Sequence, residues 1–559
     1  MHDLAIRDAV IYDGSGAPPA TGDLAVAGGR IVSVGGKAGA AREQVRADGL
    51  ALAPGIIDCH THYDAQLTWD GWAQPSPALG VTTVIIGNCG FAVAPCRARD
   101  RDAMMRNLCN VEGMSLEALR AGMRWGFETF PEYLALLEGR GVGPNVAAFC
   151  GHSAIRTWVM GEAANERAAR AEEVAAMATL VRGAMADGAV GFATSTFEGH
   201  NGEGGVPMPS LLAEDGELAA LVGAMGESGG GTFMLTRGSR TTMPFLESLA
   251  AQTGRPVVVA ALLHDHTRPD AAFAEFDAIA AAQARGHELY GQVSCCPLTM
   301  DFTLRNPYLM ESYRAWRPAM KAKGEALARV YADGAFRTAM KAELDRAQGL
   351  RAFTGDWSRI FVARAADPAH AALEGRDVAS LAAEAGEHPL DRFLDLGLSE
   401  RLETVFSSLL LNSDEDAVAR LLADPHSTIA LSDAGAHLTF FCDAGFGLHL
   451  YGHWVRERAL MPLEAAVHQL TARQAAIYRI PDRGRLAVGA HADLMLFDPA
   501  TIARTANRRV HDLPAGASRL VCAAEGLHGV WVNGARVAAG DGPAAGAPLP
   551  GRVIRRFER

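Results

Sequence analysis

Residues 52–62 read Leu52-Ala53-Pro54-Gly55-Ile56-Ile57-Asp58-Cys59-His60-Thr61-His62, an apolar run that ends in two histidines. A run of this length and composition predicts a buried strand. Because side chains two apart on a strand point to the same side, the two imidazoles should converge. Convergent imidazoles at a strand end are ligands for Zn²⁺ or a similar ion. The alternative is a polar strand end whose histidines simply meet water.

Two further strand ends favour the metal site. Ile85-Ile86-Gly87-Asn88-Cys89-Gly90 ends the next apolar run and places a cysteine between glycines. Such a cysteine can be a structural thiol or a thiolate ligand. Ile429-Ala430-Leu431-Ser432-Asp433-Ala434-Gly435-Ala436-His437 brings a carboxylate and a histidine to a later strand end. Together these ends indicate a metal site.

Strand-like runs alternate with helical segments through most of the chain, which is the pattern of an α/β fold with a parallel sheet. Eight such runs occur, at 52–59, 81–89, 145–152, 189–195, 232–236, 256–263, 288–294 and 428–433. Eight units predict a (β/α)8 TIM barrel, whose active site lies at the carboxyl ends of the strands. We place this catalytic barrel at residues 55–482. The strand-rich terminal pieces, 1–54 and 483–559, should form one small β-sandwich.

Two connections of the barrel stand out. The one from about 297 to 427 is far longer than an ordinary connection between a strand and a helix. Its part from 311 to 348 has a basic, amphipathic helical pattern. The connection could decorate the outside of the barrel or form a lid over the metal site. A glycine-rich loop, 199–205, follows the fourth strand and could shape a mobile rim.

These segments resemble a known family. The quoted motifs, together with Gly151-His152-Ser153 and Gly489-Ala490-His491-Ala492-Asp493-Leu494-Met495-Leu496-Phe497-Asp498, are similar to the amidohydrolase superfamily. Within it, the pairing of His-x-His with Asn-Cys-Gly resembles the D-aminoacylase (N-acyl-D-amino-acid deacylase) branch. The resemblance runs from about residue 3 to residue 550. It implies a barrel with a terminal β-sandwich and metal-dependent hydrolysis of a linear amide, such as an N-acyl-D-amino acid. A cyclic amide or imide hydrolase and a non-hydrolytic binding protein are the alternatives.

The chain also departs from the family pattern, in which strands five and six end in metal-binding histidines. Thr236 and Ala261 stand at those places, while His264 and His266 follow late, in an expected loop. No lysine lies near strand four that could bridge two ions. We therefore expect one Zn²⁺ per chain, held by His60, His62 and Asp433, with Cys89 as a fourth ligand.

Roles in catalysis follow from these ligands. Asp433 is the expected general base and later acid, since it can take a proton from water and return it to the leaving nitrogen. Four other side chains could bind the substrate carboxylate or the oxyanion, with a structural role as the alternative for each: His152, Arg156, Arg237 and His437. Asp64 continues the alternation after His62 and is expected to orient a ligand histidine.

Composition excludes other classes of function. The 559 residues carry a formal net charge of −12, which argues against nucleic acid as a partner. No apolar run approaches the roughly 20 residues that span a bilayer, and no basic-then-apolar leader opens the chain. The nine cysteines are scattered, as in a cytoplasmic protein with free thiols. A small-molecule substrate is the expected partner, and a homo-oligomer remains an option.

Overall fold

The computed structural model describes residues 1–202, 205–305, 307–310, 313–346, 353–438, 441–538 and 549–558, except for the side chains of residues 110, 111 and 308. The strands in chain order are β1 His2–Ile11, β2 Ala20–Ala27, β3 Arg30–Val34, β4 Ala41–Arg46, β5 Ala51–Pro54, β6 Ile56–Asp58, β7 Val81–Ile86, β8 Asn145–Gly151, β9 Gly191–Ser195, β10 Thr232–Thr236, β11 Val257–Ala260, β12 Leu289–Val293, β13 Leu298–Phe302, β14 Ile360–Arg364, β15 Val405–Leu411, β16 Ser427–Ile429, β17 Leu494–Phe497, β18 Ala503–Arg504, β19 Arg508–Val510, β20 Arg519–Val521, β21 Ala524–Glu525, β22 Leu527–Val532 and β23 Ala535–Ala538.

The α-helices in chain order are α1 Arg101–Val111, α2 Leu116–Gly122, α3 Phe130–Arg140, α4 His152–Met160, α5 Ala171–Asp187, α6 Asp215–Gly226, α7 Met243–Thr253, α8 Ala271–Ala284, α9 Arg317–Met320, α10 Glu325–Ala332, α11 Gly334–Leu344, α12 Val378–Ala385, α13 Pro389–Ser399, α14 Glu415–Ala423, α15 Phe446–His449, α16 Leu463–Leu470 and α17 Ala472–Ile477. A π-helical segment, Leu450–Glu457, follows α15 directly. None of these helices, within the ranges just given, is long and apolar enough to cross a membrane.

Eight strands form the parallel barrel that the sequence predicts. The order β6-β7-β8-β9-β10-β11-β12-β16 follows the chain, and every neighbouring pair is parallel. The first and last strands meet just beyond their ends, where Thr61 and Ala434 form a parallel bridge. The N–H of His62 donates to the carbonyl of Ala434 at 2.7 Å. The TIM-barrel prediction is confirmed, and its two ends close next to the predicted metal ligands.

The run 52–59 is not one barrel strand, and this part of the prediction is wrong. Its first half, β5, pairs with β1 and β17 of the terminal sheet, whereas β6 begins the barrel. Gly55 separates the two, because a Cβ there would lie only 2.1 Å from Cγ2 of Thr82. Only glycine allows this close approach of the backbone to its neighbour. The apolar run is therefore unbroken in the sequence, although its two halves belong to different sheets.

Both ends of the chain contribute to one eight-stranded sheet. Its order is β23-β22-β17-β5-β1-β2-β3, with β4 paired to β1. It has a hydrophobic core of its own, which includes Leu4, Leu24, Leu494 and Trp531. Farther along, Val553 forms a bridge with Val146 of β8, so the last described residues return to the barrel. The division of the chain at residues 54 and 483 stays a prediction.

The long connection folds as a compact unit made of residues 264–267 and 297–414. A three-stranded sheet, β13-β15-β14, packs with helices α9–α13 through aromatic side chains, such as Phe393 and Phe406 with ring centroids 4.6 Å apart. The helical pattern at 311–348 corresponds to α9, α10 and α11, while residues 311, 312, 347 and 348 lie outside the described ranges. The role of this unit as a lid stays a prediction.

Candidate metal centre and active site

His60 and His62 follow β6 and are almost fully buried, with side chains 2% and 6% exposed. The backbone before them is held across the closure of the barrel, where the Ser432 hydroxyl donates to Asp58 Oδ2 at 2.6 Å. Burial raises the pKa of Asp58 to about 7, although this hydrogen bond opposes the shift. The seam between the first and last strands therefore fixes the position of both histidines.

Cys89 sits in a tight turn at the end of β7. The turn needs left-handed backbone at Gly87, Cys89 and Gly90, with φ of 81°, 55° and 75°. A Cβ on Gly87 would lie 2.8 Å from the carbonyl of Phe149, so glycine is required there. The Asn88 amide donates to the Ile85 carbonyl at 2.8 Å and closes the turn. The Asn-Cys-Gly motif thus directs the thiol towards the histidines.

These three side chains form one cluster. Cys89 Sγ lies 3.5 Å from Nε2 of His60 and 4.0 Å from Nε2 of His62. All three donor atoms are buried and lie within 4.8 Å of one another. Burial raises the pKa of the Cys89 thiol, but the charges of His60 and His62 outweigh it and hold that pKa below its usual value. A thiolate beside two imidazoles is a donor set that suits zinc.

Asp433 lies beside the cluster and is the most open of these groups, with 23% of its side chain exposed. Its Oδ1 is 3.2 Å from Nε2 of His60 and 3.4 Å from Nε2 of His62. Burial raises its pKa, but the charges of both histidines outweigh burial, so the pKa lies well below the usual range. The structure therefore brings together the four predicted ligands, with Asp433 on the side that solvent reaches.

The loop that carries Asp433 has an unusual backbone. Leu431, Asp433 and His437 adopt left-handed conformations with φ of 65°, 46° and 52°. Gly435 packs so closely on His62 that a Cβ would lie 2.7 Å from its carbonyl carbon. Non-glycine residues in this region are strained, and such strain concentrates at functional sites.

Two residues that the sequence analysis missed orient the histidines. Gln292 Oε1 lies 2.6 Å from Nδ1 of His60, and Glu112 Oε1 lies 3.0 Å from Nδ1 of His62. These contacts at Nδ1 leave Nε2 of each histidine facing Cys89. Asp64 was expected to do this, but its carboxylate accepts from the backbone N–H of Gly87 at 3.0 Å. Asp64 thus supports the turn of Cys89.

The predicted substrate-binding role of His152 and Arg156 finds no support. Both are fully buried, with Nε2 of His152 2.8 Å from Oε1 of Glu217 and Nη1 of Arg156 2.5 Å from the same oxygen. Nδ1 of His152 lies 2.7 Å from the Thr194 hydroxyl. Glu217 engages both side chains inside the protein, and their role in substrate binding stays a prediction.

Arg237 is engaged in a similar way, whereas His437 lies near Asp433 and Glu112. The Arg237 guanidinium forms an ion pair with Glu275 and donates to the carbonyl of Thr241 at 2.9 Å. His437 packs on Phe441, with ring centroids 5.0 Å apart. Burial lowers the pKa of His437, against the opposing charges of Asp433 and Glu112. Among the four predicted helpers, His437 has its place at the site.

Other residues occupy the positions at the ends of strands five and six where the family pattern has histidines. Thr236 ends β10, and its Oγ1 lies 3.1 Å from Sγ of Cys89. Ala261 follows β11 and is exposed. The backbone of His264 pairs with Asn412, and His264 and His266 belong to the separate compact unit. Within the described ranges, His60, His62 and Cys89 form the one cluster with metal-ligand spacing.

A parallel barrel with histidine, cysteine and aspartate side chains at its strand ends is typical of metal-dependent barrel hydrolases. The chain matches the amidohydrolase family profile over residues 44–538. It belongs to the amidohydrolase family. This finding confirms the resemblance noted from its motifs.

One relative and two solved structures carry names of the predicted branch. The chain is 30% identical over 560 residues to N-acyl-D-aspartate deacylase of Alcaligenes xylosoxydans xylosoxydans, covering 99% of this chain and 95% of that one. A solved D-aminoacylase aligns with a TM-score of 0.68, 25% identity and full coverage of both chains; it is described as having a binuclear metal centre with one-metal activation and second-metal attenuation. N-acyl-D-glutamate deacylase from Bordetella bronchiseptica, solved with zinc and a phosphonate mimic of the tetrahedral intermediate, aligns with a TM-score of 0.65 and 25% identity, covering 99% of this chain and 100% of that one.

Proposed function

We propose that this protein hydrolyses the amide bond of N-acyl-D-amino acids with a single zinc ion. The observation that carries the proposal is the convergence of two imidazoles, one thiol and one carboxylate at the ends of three barrel strands. The names of the relatives supply the substrate class. Thr236 and Ala261, in place of histidines, support one ion per chain.

The residues fit zinc by the chemistry of their donors. His60, His62 and Cys89 would hold the ion, with Asp433 beside them. When bound, the ion lowers the pKa of water and polarises an amide carbonyl. Gln292 and Glu112 contact Nδ1 of the two histidines and so keep both Nε2 atoms available.

Asp433 moves the protons of the reaction. Its carboxylate takes a proton from the attacking water and then returns it to the amide nitrogen, which leaves as an amine. The exposed fraction of its side chain lets a substrate reach it. His437, which follows on the same loop, contacts a polar group of the substrate.

The cellular setting follows from the thiols. All nine cysteines lie in the described ranges, and none of them forms a disulfide bond. Free thiols are typical of a reducing compartment, which supports a cytoplasmic location.

Size-exclusion chromatography with light scattering would decide whether the chain assembles as a homo-oligomer.

A screen against matched D- and L-N-acyl amino acids tests the proposed function. Purified protein with one equivalent of zinc should release the amine from D substrates and much less from the L enantiomers. A His60→Ala, His62→Ala double variant, checked for correct folding, is the matched control and should be inactive. Turnover of a hydantoin or another cyclic imide, without turnover of any linear substrate, would overturn the proposal.

A further inference from the structure

His200, in the loop after β9, has an imidazole that is held on several sides. Its Nδ1 lies 2.7 Å from the hydroxyl of Ser195. The rings of Phe91 and Phe197 meet it edge to face, with centroid distances of 5.0 and 5.1 Å. These contacts fix the orientation of the ring without a charged partner.

The hydrogen bonds around Ser195 select one tautomer of His200. The Ser195 hydroxyl oxygen accepts from the backbone N–H of Phe197 at 3.1 Å. Its own hydrogen can go to Nδ1 of His200 at 2.7 Å or to the carbonyl of Thr236 at 3.5 Å, and the shorter distance gives the stronger bond. Nδ1 is then the acceptor, and the ring proton sits on Nε2.

The ring is neutral, and its Nε2–H is available. Burial lowers the pKa of His200 to about 4, although the charge of Glu112 opposes the shift. Nε2 makes no hydrogen bond to any residue within the described ranges. A preoriented neutral donor without a protein partner is therefore free for a ligand.

The His200 side chain lies near the metal cluster. Ser195, which holds His200, pairs with Thr236 on the neighbouring strand, and Thr236 Oγ1 is 3.1 Å from Cys89 Sγ. Phe91, which contacts the His200 ring, lines the same small pocket as His62. Glu112, His437, His62 and Asp433 all act electrostatically on His200. His200 therefore belongs to the surroundings of the reacting atoms.

We propose that His200 is a catalytic residue whose Nε2–H donates a hydrogen bond to the scissile carbonyl oxygen and to the oxyanion that develops from it. The inference rests on the proposed amide hydrolysis. The proton stays on Nε2 throughout, because the donor stabilises charge and transfers nothing. A neutral imidazole can polarise a carbonyl in this way, and the bond strengthens as charge grows in the transition state. Ser195 is the positioning residue that keeps the tautomer.

The central experiment compares His200→Phe with His200→Gln in zinc-loaded enzyme. The phenyl ring keeps the aromatic packing and removes the donor, so kcat should fall by about 10²-fold, as for the loss of one oxyanion donor, with KM nearly unchanged. His200→Gln retains an amide donor near the position of Nε2, so its kcat should fall less than that of His200→Phe. Ser195→Ala should also show a smaller fall in kcat. His287→Phe, at a partly exposed position after α8, is the matched control and should match wild type.

A second readout uses a phosphonate analogue of the N-acyl-D-amino acid as a stable mimic of the tetrahedral species. His200→Phe should weaken its binding by a factor similar to the fall in kcat. Unchanged kcat and unchanged phosphonate affinity, in a variant with full zinc content, would overturn the inference while leaving the proposed function intact. A wild-type enzyme that hydrolyses no N-acyl-D-amino acid would overturn the proposed function, and this inference with it.

Selective ¹⁵N labelling of histidine provides a test that does not depend on how His200→Phe folds. Comparison of wild type with His200→Gln identifies the two ring nitrogen signals of His200. A protonated Nε2 and an unprotonated Nδ1 at pH 7 support the assignment. A protonated Nδ1 would contradict it.

Discussion

Nδ1 of His62 lies 3.0 Å from Oε1 of Glu112, and both side chains are buried. Burial raises the pKa of Glu112, but the charge of His62 and its hydrogen bond hold that pKa below the usual value. The carboxylate thus stays ionised as an acceptor and turns the other nitrogen, Nε2, towards Cys89 and Asp433. Glu112 therefore orients a predicted metal ligand, His62, without being a ligand itself.

Loss of Glu112 should weaken zinc binding. We expect Glu112→Ala to lower zinc affinity about 10- to 100-fold, because partners behind ligand histidines typically contribute this much. Glu112→Gln keeps an acceptor oxygen, so its zinc affinity should lie between those of Glu112→Ala and wild type. Competition with a chromophoric chelator measures the affinity, and the exposed Glu162→Ala is a suitable control. Equal affinities in Glu112→Ala and wild type would show that the contact has no orienting role.

The chain should retain about one equivalent of zinc. Only one cluster with ligand spacing lies in the described ranges, and Thr236 contributes a hydroxyl where a second ion would need an imidazole. Elemental analysis after exhaustive dialysis measures the stoichiometry. Two retained equivalents would mean that a further group supplies a second site.

Asp433→Asn should separate proton transfer from metal binding. His60, His62 and Cys89 remain, so most zinc should stay bound, while kcat should fall by roughly 10²-fold or more because general acid–base catalysis is lost. Steady-state kinetics and zinc content are measured on the same preparation. Near-normal turnover would transfer the role to another group, and His437 is the first to test.

Asp443 should make stability depend on pH. Burial raises its pKa to about 6, although the nearby Arg504 guanidinium, 3.1 Å away, lowers it. A carboxyl whose pKa is raised on folding binds its proton more tightly when folded, so stability falls as pH rises from about 4 to about 6. Asp443→Asn removes this contribution, and its melting temperature should change less than that of wild type between pH 4.5 and 7. Identical changes in both proteins, with chelator present throughout, would contradict the assignment.

The site residues that lie at the ends of strands could be predicted from the sequence. His60, His62, Cys89 and Asp433 all follow apolar runs, and parallel strands bring their carboxyl ends to one edge. Gln292 left a signal that was overlooked, a polar residue inside the apolar run of β12. Glu112 left none, because it ends a helix whose sequence does not show what that end will meet.

The differences between the sequence expectations and the structure have a physical reason as well. His152 and Arg156 were chosen for their chemistry, but Glu217, a distant residue in the sequence, engages them both. Spacing along the chain does not reveal such a buried partner. The run 52–59 misled in another way, because the change of sheet at Gly55 depends on Thr82, which belongs to a different strand.

The hydrogen bond between Asp58 and Ser432, which joins the first and last barrel strands, has a consequence for biosynthesis. These residues are 374 positions apart in the chain. At a synthesis rate of about 5–20 residues per second, roughly 20–75 seconds pass between their appearances on the ribosome. During that interval His60, His62 and Cys89 have been synthesised without Asp433, so the predicted metal site can be completed only after the last barrel strand has been made.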